Sequence, residues 1–268
     1  MHFGDLAVII AKLKRKTIME TKKIAVITGG SRGIGAATAK LFAQNGYAVC
    51  INYKSNEAAA LSTVRGITDA GDTCISVQAD VSNEADVVRL FNTVDEKLGR
   101  ISVLVNNAGI LKTQSRLEDL TAERINSILA TNVTGYFLCC REAVKRMSVR
   151  HGGLGGAIVN VSSGAARSGS PNEYIDYAAS KGAIDTLTKG LSLEVAAEGI
   201  RVNCVRPGLI YTDMHADGGE PNRVDRLKHN LPMKRGGQPS EVAEAIFWLA
   251  SEKASFSTGN FLDLVGGL

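Results

Sequence analysis

The chain has 268 residues, 44% hydrophobic and 22% charged, with five prolines. That composition excludes a disordered chain and a collagen-like repeat, and the length suits one large α/β domain. No unbroken apolar run is longer than that of Leu6–Ala11, far short of the roughly 18 residues of a membrane span.

Six basic residues (Lys12, Lys14, Arg15, Lys16, Lys22 and Lys23) face Asp5 and Glu20 in the first 23 positions, which accounts for the whole net charge of +4. The neutral remainder has no basic excess with which to hold nucleic acid. Residues 1–21 read as a leader outside the domain. A secretory signal places its charges before the apolar run, whereas here LAVIIA precedes KLKRK; Met19 reads as a natural start. Five cysteines, odd in number and without a C-x-x-C pair, fit buried thiols in the cytoplasm. Four histidines, none at H-x₃-H spacing, give no zinc framework.

In chain order, KIAVIT (23–28) reads as a strand, followed by a glycine-rich turn and a helix over Ala36–Asn45. AVCINY (48–53) and TCISVQ (73–78) read as strands, then a helix over Asn83–Lys97 and the strand ISVLVN (101–106). A long helix over Leu120–Arg146 leads to the strand AIVNVS (157–162), and a second over Asp176–Glu198 to IRVNCV (200–205). A polar, glycine-rich segment, about 208–238, reads as a substrate lid, because open α/β sheets bind ligands at strand carboxyl ends. A helix over Gln238–Ser251 and the strand NFLDLV (260–265) complete the chain. Near-continuous Val/Ile strands alternating with helices predict a doubly wound, Rossmann-type, seven-stranded parallel sheet with helices on both faces, in one domain over 22–268.

Two motifs carry chemistry. Thr28-Gly29-Gly30-Ser31-Arg32-Gly33-Ile34-Gly35 lies between the first strand and helix, where glycines let the backbone approach a phosphate and the helix N-terminus favours an anion. It is not a P-loop, since Ala36-Ala37 follow. The acid that would grip a free ribose 2′-hydroxyl about 20 residues on is missing: Tyr53, Lys54 and Ser55 stand there. Arg32 and Lys54 can flank a 2′-phosphate, so the reading is NADP rather than NAD. The second motif, Tyr177-Ala178-Ala179-Ser180-Lys181, puts a phenol and an ammonium four residues apart on one helical face. The ammonium, with the positive ring of an oxidised cofactor, is expected to bring the phenol's pKa down towards neutrality. Tyr174 is a decoy, because Ala178 follows it at that spacing.

With Asn106-Asn107-Ala108-Gly109, Asn132, Ser162-Ser163 and Pro207-Gly208, these motifs resemble the short-chain dehydrogenase/reductase family from about Lys22 to Gly267. The members it looks most like are sugar 1-dehydrogenases and 3-oxoacyl-carrier-protein reductases. The resemblance implies Tyr177 as proton donor or base, Lys181 as its tuner and ribose ligand, and Ser163 as hydrogen-bond donor to the substrate oxygen. It further implies Asn132 as holder of a water linking Lys181 to solvent. Asp80 and Val81 would meet the adenine, Asn107, Ala108 and Gly109 the adenosine ribose region, and Pro207, Gly208, Ile210 and Thr212 the nicotinamide. It also implies a homotetramer built on the two long helices.

Two departures stand out. The Ser163–Tyr177 gap of 14 is one longer than the family's usual spacing, and Val265 precedes Gly266-Gly267 where many members have aspartate. The expected activity is hydride transfer to or from a small sugar- or ketone-like carbonyl or alcohol. A 3-oxoacyl-thioester reductase and a non-catalytic NADP(H) sensor are the alternatives. His215, Asp217, Glu220, Asn222 and Arg223 in the lid point to a small polar substrate.

Overall fold

The computed structural model describes residues 22–268; the leader reading lies outside them. The strands are β1 (Ile24–Ile27), β2 (Ala48–Tyr53), β3 (Cys74–Gln78), β4 (Val103–Asn106), β5 (Gly156–Val161), β6 (Ile200–Pro207) and β7 (Phe261–Leu264). All pair in parallel, in the order β3-β2-β1-β4-β5-β6-β7. The order reverses between β1 and β4, and the crevice outside their carboxyl ends is where this topology receives a ligand.

Burial explains the composition of the strands. Ala25, Ile27, Val49 and Ile51 face one core with Phe42 and Ile246; Val26, Ala48, Cys50 and Leu104 face the other with Phe91 and Met147. Alternate side chains enter opposite layers, and both layers are covered by helices, so the strands are mostly apolar on both faces. All five cysteines are free, buried thiols, and Cys50, Cys74, Cys139 and Cys140 sit in these layers.

The longer helices are α1 (Gly33–Gln44), α2 (Glu57–Thr68), α3 (Glu84–Lys97), α4 (Ala122–Leu129), α5 (Gly135–Met147), α6 (Ile175–Val195) and α7 (Pro239–Ala250). Asn56 and Asn83 cap α2 and α3 through their side chains, at 3.0 and 3.1 Å. By contrast, α1 has no side-chain cap and no acid in its first turn. It also begins three residues before the expected Ala36, so Gly33, Ile34 and Gly35 form its first turn.

The helix expected over Leu120–Arg146 is divided. Five residues, Ala130–Thr134, form a π turn between α4 and α5, with Asn132 fully buried inside it. The Asn132 side chain accepts from Ile110 N (2.8 Å) and donates to Ile110 O and Ser180 Oγ (both 3.1 Å), which fixes the wide turn against two neighbouring segments.

Candidate active site

The glycine-rich turn is held by backbone and amide contacts rather than by charge. Asn107 Nδ2 donates to Thr28 O and Gly29 O at 2.9 and 3.0 Å, and the Thr28 hydroxyl accepts from Asn107 N and Ala108 N, both at 3.0 Å. Asn52 Oδ1 receives Gly29 N at 3.3 Å, while Thr63 ties down the Ser31 carbonyl at 2.9 Å. A β-carbon at Gly29 would lie 2.9 Å from Ala108 Cα, and one at Gly35 2.3 Å from Gly29 O. Larger residues would therefore close the cradle. With the uncapped N-terminus of α1 behind it, the turn fits the diphosphate of a dinucleotide.

The two cations expected beside a 2′-phosphate are not paired with each other. Arg32 makes an ion pair with Asp217 and lies 3.9 Å from Asp213. Lys54 meets Asp80 at 2.7 Å. Asp80 Oδ1 also accepts from Ser82 N and Oγ, at 3.0 and 2.7 Å. Tyr53 and Val81 are buried at 8% and 5% exposure and pack into the two cores. As cofactor ligands they would act through their backbone. Ser55 stays exposed beside Lys54.

A cavity of about 510 Å³ opens at the carboxyl ends of β5 and β6 beneath the 208–238 segment. Ser163, Tyr177 and Lys181 converge on it with Ile34 and Asn107 on one side and Pro207, Gly208, Ile210 and Thr212 on the other. Gly33 faces Thr212: a β-carbon there would lie 3.4 Å from its methyl group. Arg124 anchors the start of α6 through Asp176 (2.7 Å) and Thr113 O (2.7 Å), and Asp176 accepts from Tyr177 N at 2.9 Å. The extra residue between Ser163 and Tyr177 is taken up by the loop after the short helix Ala165–Ser168. There Gly169, Ser170 and Asn172 have positive φ.

The two serines are placed differently. Ser162 is 2% exposed and donates to Lys181 O at 3.1 Å. Ser163 is half-buried beside the Tyr177 phenol, and its Oγ accepts from Ala165 N at 3.1 Å.

Lys181 is held by a backbone carbonyl and a second phenol. Its Nζ donates to Val161 O (2.9 Å) and Tyr136 Oη (3.3 Å) and stands 5.6 Å from the centre of the Tyr177 ring. Burial pushes the phenol up to about 12, against a smaller opposing pull from Ser163, and pushes the ammonium down to about 8. In the free protein desolvation outweighs any help from the lysine, so Tyr177 is not drawn towards neutrality. A β-carbon at Gly109 would lie 3.5 Å from Asn132 Oδ1 and 3.6 Å from Lys181 Nζ, which puts all three residues in one neighbourhood.

Composition and spacing missed Asn52, Arg124 and Tyr136, which hold the turn, the start of α6 and the ammonium. None has a partner nearby in sequence to mark it.

The lid acids also read differently in place. Asp217 is paired with Arg32, and Glu220 with Arg223 (2.9 Å) and Arg226. Their charge is thus directed at the protein rather than at a substrate. The cavity wall is mostly apolar, with Leu111, Met214, Leu227 and Val265 contributing.

Among family models, that described as enoyl-(acyl carrier protein) reductase matches residues 29–268. The chain is 66% identical to the uncharacterized oxidoreductase YgfF of Escherichia coli K12, over 91% of this chain and 99% of that one. It is 39% identical to 3beta-hydroxysteroid dehydrogenase 1 of Eggerthella lenta, over 92% and 93%. A crystal structure of a short chain dehydrogenase from Burkholderia cenocepacia in complex with NADP superposes with a TM-score of 0.83. The two are 32% identical, and the match covers 92% of this chain and 98% of that one. The parallel seven-stranded sheet, the cavity at its carboxyl ends and these matches agree: the chain is an oxidoreductase and belongs to the short-chain dehydrogenase/reductase family.

Proposed function

We propose that this oxidoreductase uses NADP and acts on the carbonyl or secondary alcohol of a small sugar- or ketone-like molecule in the cytoplasm. The observation that carries the reading is the convergence of Ser163, Tyr177 and Lys181 on one cavity that also meets the glycine-rich turn through Ile34 and Asn107. When bound, nicotinamide supplies or takes up the hydride. The chain's residues do the rest. Ser163 donates a hydrogen bond to the substrate oxygen, where negative charge develops during reduction. Tyr177 transfers its hydroxyl proton to that oxygen, or removes the proton in oxidation. Lys181 grips the ribose hydroxyls and keeps positive charge near the phenol, while Asn132 holds a water that reconnects Lys181 with solvent. Residues 22–268 form the catalytic domain, and 208–238 cover the bound substrate. The test is to follow absorbance at 340 nm with NADPH over a panel of ketones, sugars and 3-oxoacyl thioesters, and with NADP over the alcohols. Tight NADPH binding with no turnover on any of them would instead mark a sensor.

For the serines, Ser163→Ala should lower kcat at least tenfold more than Ser162→Ala, because a single donor aimed at a developing oxyanion is worth roughly 10²–10³ in rate. Equal kcat for the two variants would remove Ser163 from this role.

Cofactor choice rests on Arg32 and Lys54. Arg32→Ala should weaken NADPH binding and leave NADH nearly unchanged. The loss should fall near the low end of about 1–3 kcal/mol for one charge-assisted contact, because a 2′-phosphate must first displace Asp217. Titrations showing equal losses for both cofactors would overturn the assignment.

The assembly proposed is a homotetramer. Phe137 on α5 and Leu193 on α6 are 51% and 69% exposed, an apolar surface that partner helices would cover. Light scattering should give about four times the chain mass of 28.4 kDa; a monomer mass at micromolar concentration would refute it.

A further inference from the structure

Among the described residues, three buried side-chain polar atoms have no hydrogen-bond partner: Asn106 Oδ1, Tyr174 Oη and His215 Nδ1. Asn106 lies within the sheet, where its amide nitrogen is bonded to Asn160. The other two belong to residues lining the cavity that holds Ser163 and Tyr177. Buried polar atoms left unpaired are costly in a native fold, and two in the wall of one cavity point to a ligand that pairs them.

The chemistry of the two atoms is complementary. His215 Nε2 is 3.0 Å from Ile210 O, so the nitrogen facing that carbonyl carries the proton and Nδ1 keeps a lone pair. Burial holds the imidazole below its ordinary pKa, so the neutral ring is the form at pH 7. Tyr174 is 3% exposed, and burial raises its phenol, which stays protonated and can donate. Gln114 lies beside this phenol, but its amide nitrogen is committed to Glu220 (2.8 Å) and Glu173 (3.3 Å), and its amide oxygen makes no bond to the phenol. A hydroxyl is the ligand group whose chemistry answers both atoms, since it can donate to an imidazole lone pair and accept from a phenol O–H. A carbonyl or ether oxygen would leave the histidine unpaired.

The remaining wall narrows the class. Arg223 lies over the Tyr174 ring, 5.0 Å from its centre, but is neutralised by Glu173 and Glu220. Arg167 is paired with Asp263. Apart from Lys181, assigned above to the ribose, no cation of this wall is left to reward a carboxylate or phosphate, and the apolar side chains favour a hydrocarbon body. We infer that Tyr174 and His215 are specificity-determining residues that recognise a second hydroxyl on a neutral, largely apolar hydroxyketone or diol, whose other oxygen is the reacting one. The inference rests on the oxidoreductase reading above, in which Ser163 and Tyr177 hold that reacting oxygen.

The test compares cyclohexanone and decalone with their ring-hydroxylated derivatives, and the corresponding alcohols with the diols in oxidation. Tyr174→Phe removes only the hydroxyl, and His215→Gln keeps a donor for Ile210 O while removing the Nδ1 acceptor. The wild type should prefer the best hydroxylated member of each pair by tenfold or more in kcat/KM, in line with the roughly 10–10²-fold value of one buried hydrogen bond. Each variant should erase that preference while leaving kcat/KM for the unhydroxylated partner within about twofold. Wild-type turnover with no preference for any hydroxylated member, or variants that lower both partners equally, would overturn the inference and leave the oxidoreductase reading standing. If no member turns over, competition with a substrate found in the wider panel decides: a hydroxylated ketone should inhibit at least tenfold more tightly than its parent, and Tyr174→Phe should abolish the difference. Equal inhibition overturns it. An enzyme inert towards every carbonyl and alcohol defeats both readings.

Discussion

Replacing Tyr177 by Phe should lower turnover by at least about 10², the scale of general acid–base catalysis, while NADPH affinity and thermal stability stay close to wild type. The substitution keeps the ring and removes only the hydroxyl. The anchors of this part of α6, the Arg124–Asp176 ion pair and the Asp176 bond to Tyr177 N, do not involve that hydroxyl. With the phenol pushed up to about 12 in the free protein, Tyr177 carries its proton at pH 7 and is charged for reduction. Oxidation needs the phenolate, so its rate should rise with pH. The positive charge of bound oxidised cofactor should bring the apparent pKa of that rise below the value in the free protein. The deciding measurement is single-turnover kinetics, with chemistry rate-limiting, on folded Tyr177→Phe free of wild-type enzyme. Retention of more than about a tenth of wild-type rate would remove Tyr177 as the proton-transfer group.

Apolar patterning made most of this architecture legible. All seven strands stand where Val/Ile runs mark them, because in a parallel sheet covered on both faces the central strands are buried along almost their whole length. Boundaries were less legible: α1 begins at Gly33 because glycines suited to a phosphate turn also serve in a first helical turn. The π turn around Asn132 left no periodic mark, since its cause is a tertiary contact with Ile110, 22 residues away. Charge misled in the lid for the same reason. Asp217 looks available in the sequence, yet its partner Arg32 reaches it only in the fold; Glu220 is paired locally, with Arg223 and Arg226. Tyr174 shows the reverse. It fails the Tyr-x₃-Lys spacing, but the chain places its hydroxyl, without a partner, in the wall of the same cavity.

Lys181→Met should give the other large effect, with a different signature. Turnover should again fall by about 10² or more, but cofactor affinity should fall with it, because the ammonium is also proposed to grip the ribose. The same substitution should stabilise the free protein at pH 7. Lys181 is 3% exposed, and burial lowers its ammonium to about 8 from an ordinary 10.5. The fold therefore disfavours the charge that the unfolded chain carries freely. Methionine fills similar space without that charge, and Val161 O still accepts from Tyr136 Oη at 3.0 Å. Between pH 8 and 10.5 the wild-type native state binds fewer protons at this site than the unfolded state, so its stability rises with pH in that window. The variant lacks this gain. Its advantage should be largest at pH 7, about 2–4 °C in Tm for each kcal/mol of relief in a domain of this size, and should shrink as pH rises through that range. Melting curves of free wild type and Lys181→Met at pH 7 and pH 10 separate the outcomes. A variant less stable at both values would mean that the bonds of Nζ to Val161 O and Tyr136 Oη outweigh the desolvation of the ammonium.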